Sequence, residues 1–275
     1  MKHFYLVSNR FKDEGFRLRD TVREYLESRS ALCRIHEEAA IPAPDTECII
    51  TLGGDGTLLR VIRRYADLGI PFIGINTGTL GYLTEGDRSS IPLVLNALLK
   101  DNFITEKRMM IYGKVFRGKK YLGRHRALND IVVGRSGAMK ITKLRLSVNG
   151  QFLKDYRCDS LIAATPTGST AYNFSAGGPI VEPTARLFLI TPLAAHSLNS
   201  RSLVLPGSDK VQIELLPASS GNENTEQYQV YFDGDKPIDL IPGDIVEITR
   251  ATTTVTIIKL SKRSFVETLR SKLSD

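Results

Sequence analysis

Residues 48–57 read CIITLGGDGT, and these ten positions decide the fold. CIITL is an apolar, β-rich run of strand length, and Gly53, Gly54 and Gly56 end it. In TLLRVIRRYADLG, residues 57–69, Leu58, Val61, Ile62, Tyr65 and Leu68 recur at spacings of three and four. That spacing predicts an amphipathic helix, and Gly69 stands where a C-terminal cap belongs. A strand, a glycine-dense turn and a helix bring bare backbone N–H groups and the positive end of a helix dipole to one point, which suits a phosphate. The glycines are expected to supply left-handed torsions and close approach at Gly54 and Gly56. Thr57 adds a hydroxyl at the helix start.

Asp55 is the odd member, because a carboxylate beside phosphates is repelled unless a cation intervenes or a proton must be taken up. Both conditions point to chemistry on a phosphate ester, with Asp55 as candidate general base toward an attacking hydroxyl. The bland alternative is an Asp that caps the following helix or bonds within its own turn. Common nucleotide motifs do not account for the loop: G-x-G-x-x-G fails at Leu59, and G-x-x-x-x-G-K-[ST] is absent.

Outward from this stretch the first third alternates in type. HFYLVSN (3–9) reads as a strand, residues 13–30 as an amphipathic helix, and IPFIGIN (70–76) as a further strand, a βαβαβ rhythm. Past about residue 102 the apolar period becomes two. In KLRLSVNGQFL (143–153) Leu144, Leu146 and Val148 alternate up to Asn149 and Gly150, a hairpin signal. KVQIELL (210–216), YQVYFDGD (228–235) and DIVEITRATTTVTIIKL (244–260) continue the alternation. SFVETLRSKLS (264–274) returns to helical spacing through Phe265, Leu269 and Leu273, with Ser264 and Glu267 placed as a capping box. The chain is therefore expected to be α/β: an α/β domain over residues 1–101 plus 251–275, a β-rich domain over 102–250, and a C-terminal helix that returns to the first domain.

The 275 residues carry no apolar run near the ~18 that a membrane span needs. MKHFYLVSNR lacks an extended apolar segment followed by a small-residue cleavage site, so a cytoplasmic location is expected. Cys33, Cys48 and Cys158 are odd in number and far apart, which argues against a disulfide framework or a zinc motif. The net charge of +7 favours anionic partners without choosing among nucleotides, nucleic acids and phosphorylated metabolites. RMMIYGKVFRGKKYLGRHR (108–126) carries seven Lys or Arg, and its alternation predicts a hairpin with a solvated basic face rather than a nucleic-acid interface.

A second constellation, CDSLIAATPTGSTAYNFSAGGPI (158–180), gathers the hydroxyls of Thr165, Thr167, Ser169 and Thr170 among Gly168, Gly177 and Gly178. It suits a polyhydroxylated, phosphorylated ligand, or else an ordinary compact loop. No G-x-S-x-G surrounds Ser169, so a serine hydrolase is excluded.

Five motifs in this order, GGDGT (53–57), NTGTLGYL (76–83), LND (128–130), TPTGSTAYNFSAGGPI (165–180) and FDGD (232–235), resemble the NAD kinase family. The resemblance implies transfer of the γ-phosphate of ATP to the 2'-hydroxyl of the adenosine ribose of NAD, giving NADP. It implies Asp55 as base, with Gly54, Gly56 and Thr57 at the nucleotide. It further implies a dinucleotide site lined by Asn76, Thr77, Gly78 and Tyr82, with Asn129 and Asp130 at ribose and adenine. Arg157, Asp159, Thr167, Thr170, Ala171, Tyr172, Ser175, Ala194 and Asp233 complete the implied set. Magnesium is implied as a companion of the ATP phosphates, since no carboxylate cluster with magnesium-ligand spacing stands in the sequence. The resemblance also implies an α/β nucleotide-binding domain followed by a β-sandwich domain, and a homodimer or homotetramer. Asp130 stands where the family usually carries Glu, Ser160 follows Asp159 in place of a glycine, and Ser202 follows Arg201 where proline is common. Two other readings differ in class. A lipid or other small-molecule kinase would leave NTGTLGYL without a purpose, and a non-enzymatic NAD sensor would be expected to have lost Asp55.

Overall fold

The structure, a computed structural model, describes residues 1–36, 41–78, 81–136, 141–197, 199–217, 227–260 and 264–273. Its chain divides into two units, Met1–Arg108 with Thr254–Asp275, and Met109–Thr253.

The first unit holds β1 (His3–Ser8), α1 (Arg17–Glu27), β2 (Leu32–Ile35), β3 (Cys48–Gly53), α2 (Asp55–Tyr65), β4 (Phe72–Asn76) and α3 (Ile91–Leu99). Its strands lie parallel in the order β2-β1-β3-β4. The residues of β3 are buried throughout, as a central parallel strand covered on both faces requires. α2 buries Leu58, Val61, Ile62 and Tyr65 as its spacing predicts. Leu68 departs from that stripe and is 44% exposed. The chain leaves the α-helix after Tyr65 for a 3-10 turn over Ala66–Leu68, whose tighter winding rotates Leu68 off the buried face. Gly69 then closes the element at φ 69°.

α1 is shorter than its apolar pattern. Gly15 (φ 63°) and Phe16 (φ 56°) are both left-handed, so the regular helix starts only at Arg17. Asp13, buried, satisfies the start by accepting from the N–H groups of Leu18 (2.9 Å) and Arg19 (3.0 Å).

The second unit contains β6 (Lys120–Ala127), β7 (Asp130–Arg135), β8 (Thr142–Val148), β9 (Gln151–Cys158), β10 (Ser160–Ala164), α4 (Tyr172–Ser175), β11 (Leu187–Leu193), β12 (Leu203–Pro206), β13 (Val211–Leu215), β14 (Tyr228–Phe232) and β15 (Asp235–Leu240). β5 (Ile104–Arg117) leads into it, and β16 (Asp244–Lys259) leads out of it. One antiparallel sheet runs β12-β11-β10-β7-β14-β15, and a second contains β16-β13-β8-β9. Leu144, Leu146 and Tyr156 of the second pack in one buried cluster with Ile131, Leu161 and Phe188 of the first, the inner layer of a sandwich. Asn149 (φ 52°) and Gly150 (φ 81°) make the hairpin turn that joins β8 to β9. β5 and β6 form the basic hairpin, where Arg124 stacks 4.3 Å from the Tyr112 ring.

The chain's last strand serves the first unit: Ile257 of β16 pairs with Phe72 of β4 in parallel, and Ile258 is buried in the first unit's core. Lys259 forms an ion pair with Glu85, which also accepts the Leu260 N–H at 2.8 Å. α5 (Phe265–Leu273) follows in that unit, and Ser264 and Glu267 form the capping box expected of them. The side chain of Leu273 lies outside the described residues.

Leu58 is fully buried at the first turn of α2. Leu58→Ala is expected to lower unfolding stability by about 2–5 kcal/mol in urea titration.

Candidate functional site

The site of the first unit follows from strand register. Ser8 pairs with Leu52 and Gly53 with Asn76, so β1, β3 and β4 end at one level and three loops start there. Backbone bonds tie them together: Asn9 donates to the Leu52 carbonyl at 3.0 Å, and Thr77 to that of Gly53 at 3.2 Å. The Asn9 side-chain amide donates to the Thr57 hydroxyl at 3.0 Å, and Gly78 N–H donates to Asn76 Oδ1 at 2.7 Å. Thr57 and Asn76 are buried by these contacts.

Gly54 caps α2 with extended backbone, φ −100° and ψ −175°. None of Gly53, Gly54 and Gly56 is left-handed, contrary to the expectation from the sequence. Gly53 and Gly54 serve close approach instead, while a Cβ on Gly56 would meet nothing within 4 Å. A Cβ on Gly53 would collide with the Thr57 side chain, and one on Gly54 would lie 3.0 Å from Lys12 Nζ.

Asp55, the first residue of α2, sends its carboxylate to the loop after β4. Oδ2 accepts from Tyr82 N–H at 2.8 Å, and both oxygens lie 3.3 Å from Leu83 N. The carboxylate rests against Gly81, where any Cβ would collide with it. Thus Asp55 neither caps its own helix nor bonds within its own turn. It holds a loop 27 residues away, and Oδ1 keeps only the longer contact. Thr77 Oγ1 is buried with no hydrogen-bond partner among the described residues, and a ligand hydroxyl or phosphate oxygen would supply one. Thr79 and Leu80 of the expected motif lie outside the described residues.

Beside Thr57 opens a cavity of about 450 Å³ lined by Asn9, Phe11, Arg19, His36, Arg60 and Arg64, among others. His36 Nδ1 lies 2.7 Å from the Tyr5 hydroxyl. Burial, and then the charge of Arg64, push its pKa down, so the ring is neutral at neutral pH.

In the second unit the centre is Asp233, at φ 50° in the turn after β14. Its carboxylate accepts the N–H groups of Leu128 (2.9 Å), Asn129 (2.8 Å) and Asp130 (3.1 Å). Burial, with the Asp233 charge second, pushes the Asp130 carboxyl up to about 7. Thr165 N–H donates to the Asn129 carbonyl at 2.8 Å, and Gly168 sits so close to that carbonyl that a Cβ would collide with it. Thr167, Thr170, Ala171 and Tyr172 follow on this loop, and Tyr172 has its phenol pushed up by burial and by Asp130 and Asp159. Asn129 Oδ1 is a second buried oxygen with no hydrogen-bond partner.

Asp159 is ion-paired to Arg135 at 2.6 Å, and its N–H donates to the Leu193 carbonyl, which sets Ala194 (φ 50°) beside it. The side chain of Arg157 is exposed on β9, on the face opposite buried Tyr156 and Cys158, and Ser175 is exposed at the end of α4. The structure adds Asn173, absent from the residues singled out in the sequence, and gives Ser169 a structural task. Buried Asn173 accepts from Thr191 at 2.7 Å and donates to the Ser169 and Pro179 carbonyls, and Ser169 Oγ bonds both backbone groups of Val181. These hold the hydroxyl-rich loop. In the first unit the passed-over residues are Asn9, Lys12 and Asp13, whose signal was their place at the carboxyl end of a parallel strand.

The profile of the ATP-NAD kinase N-terminal domain matches residues 5–103, and that of the C-terminal domain matches 128–260. The chain is 41% identical to an NAD kinase of Lachnospira eligens over 99% of this chain and 100% of that one. It is 42% identical to an NAD kinase of Agathobacter rectalis over 100% and 99%. Among solved structures, an Archaeoglobus fulgidus NAD kinase in complex with ATP superposes with a TM-score of 0.77 at 26% identity, covering 99% and 98% of the two chains. Yeast NADH kinase complexed with NADH shares the fold, with a TM-score of 0.86 at 21% identity over 100% of this chain and 88% of that one.

A glycine-turn cradle at the ends of parallel strands, with a carboxylate at its centre, belongs to an ATP-dependent phosphotransferase. The chain is a member of the ATP-NAD kinase family.

Two outcomes follow from the geometry. Gly81→Ala is expected to displace the Asp55 carboxylate and lower kcat by on the order of a hundredfold, with the melting temperature held within a few degrees. The folded Asp130 carboxyl titrates near 7, above the ordinary value near 4. Wild type should therefore lose stability relative to Asp130→Asn as pH rises from about 4 to 7, with no further change above that. Denaturant midpoints across this range check it, the total being on the order of 1–4 kcal/mol.

Proposed function

We propose that this chain transfers the γ-phosphate of ATP to the 2'-hydroxyl of the adenosine ribose of NAD, producing NADP, with Asp55 as general base. The observation that carries this reading is the Asp55 carboxylate, fixed by Tyr82 and Leu83 N–H groups at the mouth of the glycine turn with Oδ1 least engaged. As the bond from the 2'-oxygen to phosphorus forms, the bond from phosphorus to the β,γ-bridging oxygen breaks, and its electron pair leaves with ADP. The hydroxyl proton passes to Asp55.

The cavity beside Thr57 supports a site for the donor. Its volume of about 450 Å³ falls in the range of nucleotide pockets, with Phe11 and Tyr65 for a base and Arg60 and Arg64 for phosphates. The Gly56 N–H stands in the first turn of α2, where a phosphate is favoured, beside the Thr57 N–H, which donates to the Gly54 carbonyl at 2.9 Å. Asn76, Thr77, Gly78 and Tyr82 in the first unit are read as dinucleotide contacts. So are Asn129, Asp130, Thr167, Thr170, Ala171 and Tyr172 in the second, with Arg157, Asp159, Ser175, Ala194 and Asp233 around them. The unpartnered Asn129 Oδ1 suits an adenine amino group, and Asp130 a ribose hydroxyl.

Among the described residues no three His, Cys, Asp or Glu side chains converge to hold a metal. The divalent ion is assigned to the donor, as Mg-ATP. By the same family reasoning, the enzyme works in the cytoplasm as a homo-oligomer. No helix among the described residues is long and apolar enough to cross a membrane.

The test is NADP formation from Mg-ATP and NAD by purified protein, wild type beside Asp55→Asn, which keeps an acceptor oxygen for the Tyr82 N–H. Wild type should make NADP, and the variant should lose about 10²–10⁴ in kcat while binding NAD as before. Wild type without NADP, or a variant within tenfold of it, overturns the reading.

A further inference from the structure

Lys12 belongs to no motif recognised in the sequence, yet the fold places its ammonium at the glycine turn. A Cβ on Gly54 would lie 3.0 Å from Lys12 Nζ, and one on Gly78 would lie 3.7 Å from it. Nζ therefore stands between the turn that starts α2 and the loop that follows β4, where Gly54 and Gly78 carry no side chain to cover the backbone. Among the described residues Nζ has no hydrogen bond and no ion pair, and neither Gly54 nor Gly78 offers it a carboxylate.

This placement is built. Asn9 starts a tight turn: its backbone carbonyl accepts from Lys12 N–H (2.9 Å) and Asp13 N–H (3.0 Å), and its Oδ1 from Phe11 N–H (3.0 Å). Asn9 is itself pinned to Leu52 and Thr57, Asp13 is pinned to Ser8 (2.6 Å) and α1, and the Arg88 guanidinium donates to the Lys12 carbonyl at 2.9 Å. A segment held through both the backbone and the side chains of Asn9 and Asp13 aims one long cationic side chain at the phosphate cradle. Such a cation beside bare N–H groups has one chemical complement, an oxyanion.

We infer that Lys12 is a further residue of the phosphoryl-transfer machinery, its ammonium contacting the β- and γ-phosphate oxygens of the donor as charge moves onto the leaving group. The inference rests on the reading of the glycine turn as the donor's phosphate site. It predicts a contact to the outer phosphates of the donor and none to its nucleoside half.

The experiment uses the full chain with Lys12→Met, which keeps the length of the stem, and Lys12→Arg, which keeps the charge. Dissociation constants for β,γ-imido-ATP and for AMP are measured by calorimetry, and NADP formation is measured in parallel. Lys12→Met should weaken β,γ-imido-ATP at least tenfold, leave AMP within twofold, and lower kcat on the order of a hundredfold. Lys12→Arg should recover most of both losses. Equal β,γ-imido-ATP affinity in wild type and Lys12→Met overturns the inference, and so does an equal loss of both nucleotides, which marks a merely structural role. Wild type that makes no NADP overturns the proposed reaction instead, while the two dissociation constants still decide the role of Lys12.

Discussion

The bond from Asp55 to the N–H groups of Tyr82 and Leu83 is the interaction on which the site depends. It joins the first turn of α2 to the loop after β4, and it can form only because Gly53 and Asn76 pair in register at the ends of their strands. A slip of that pairing by one residue would turn every side chain of β4 to the other face. It would also remove Thr77 from the Gly53 carbonyl and Gly81 from the carboxylate. One acid thus ties the start of a helix to a loop 27 residues away, and the glycine opposite it leaves room for that contact.

The second unit solves a similar problem with the same kind of group. Asp233 gathers three successive N–H groups from the strand entry at 128–130, leaving its own charge near the buried Asp130. A carboxylate that organises backbone is well satisfied, whereas Asp130 is left to change its protonation near neutral pH. Two acids a few bonds apart in space are driven to different states by what surrounds them.

Much of this was legible in the chain. The βαβαβ rhythm, the helix after GGDGT, the Asn149-Gly150 hairpin and the Ser264 capping box all rest on local patterns, and local patterns survive without knowledge of the fold. The left-handed Phe16 did not show, because only neighbouring packing forces a non-glycine residue there, and the helix expected from 13 begins at Arg17. The purpose of the glycines was legible only in part. None is left-handed; a Cβ on Gly53 would strike Thr57 one helical turn on, one on Gly54 would approach Lys12, which only the fold brings there, and one on Gly56 would meet nothing within 4 Å. The partners of Asp55 and Asp233 stand 27 and about 104 residues away, beyond the reach of any spacing rule.

The return of β16 to the first unit sets the order in which the protein can mature on the ribosome. The core formed by β1 to β4 stays open along one flank until Ile257 and Ile258 emerge, after the whole of the second unit has been made. The intervening Met109–Thr253 has its own core and can fold while the earlier segment waits. During that interval the apolar edge of β4 is exposed to other nascent chains and to chaperones, and a truncated product lacking the last strand would be a substrate for degradation rather than a slow enzyme.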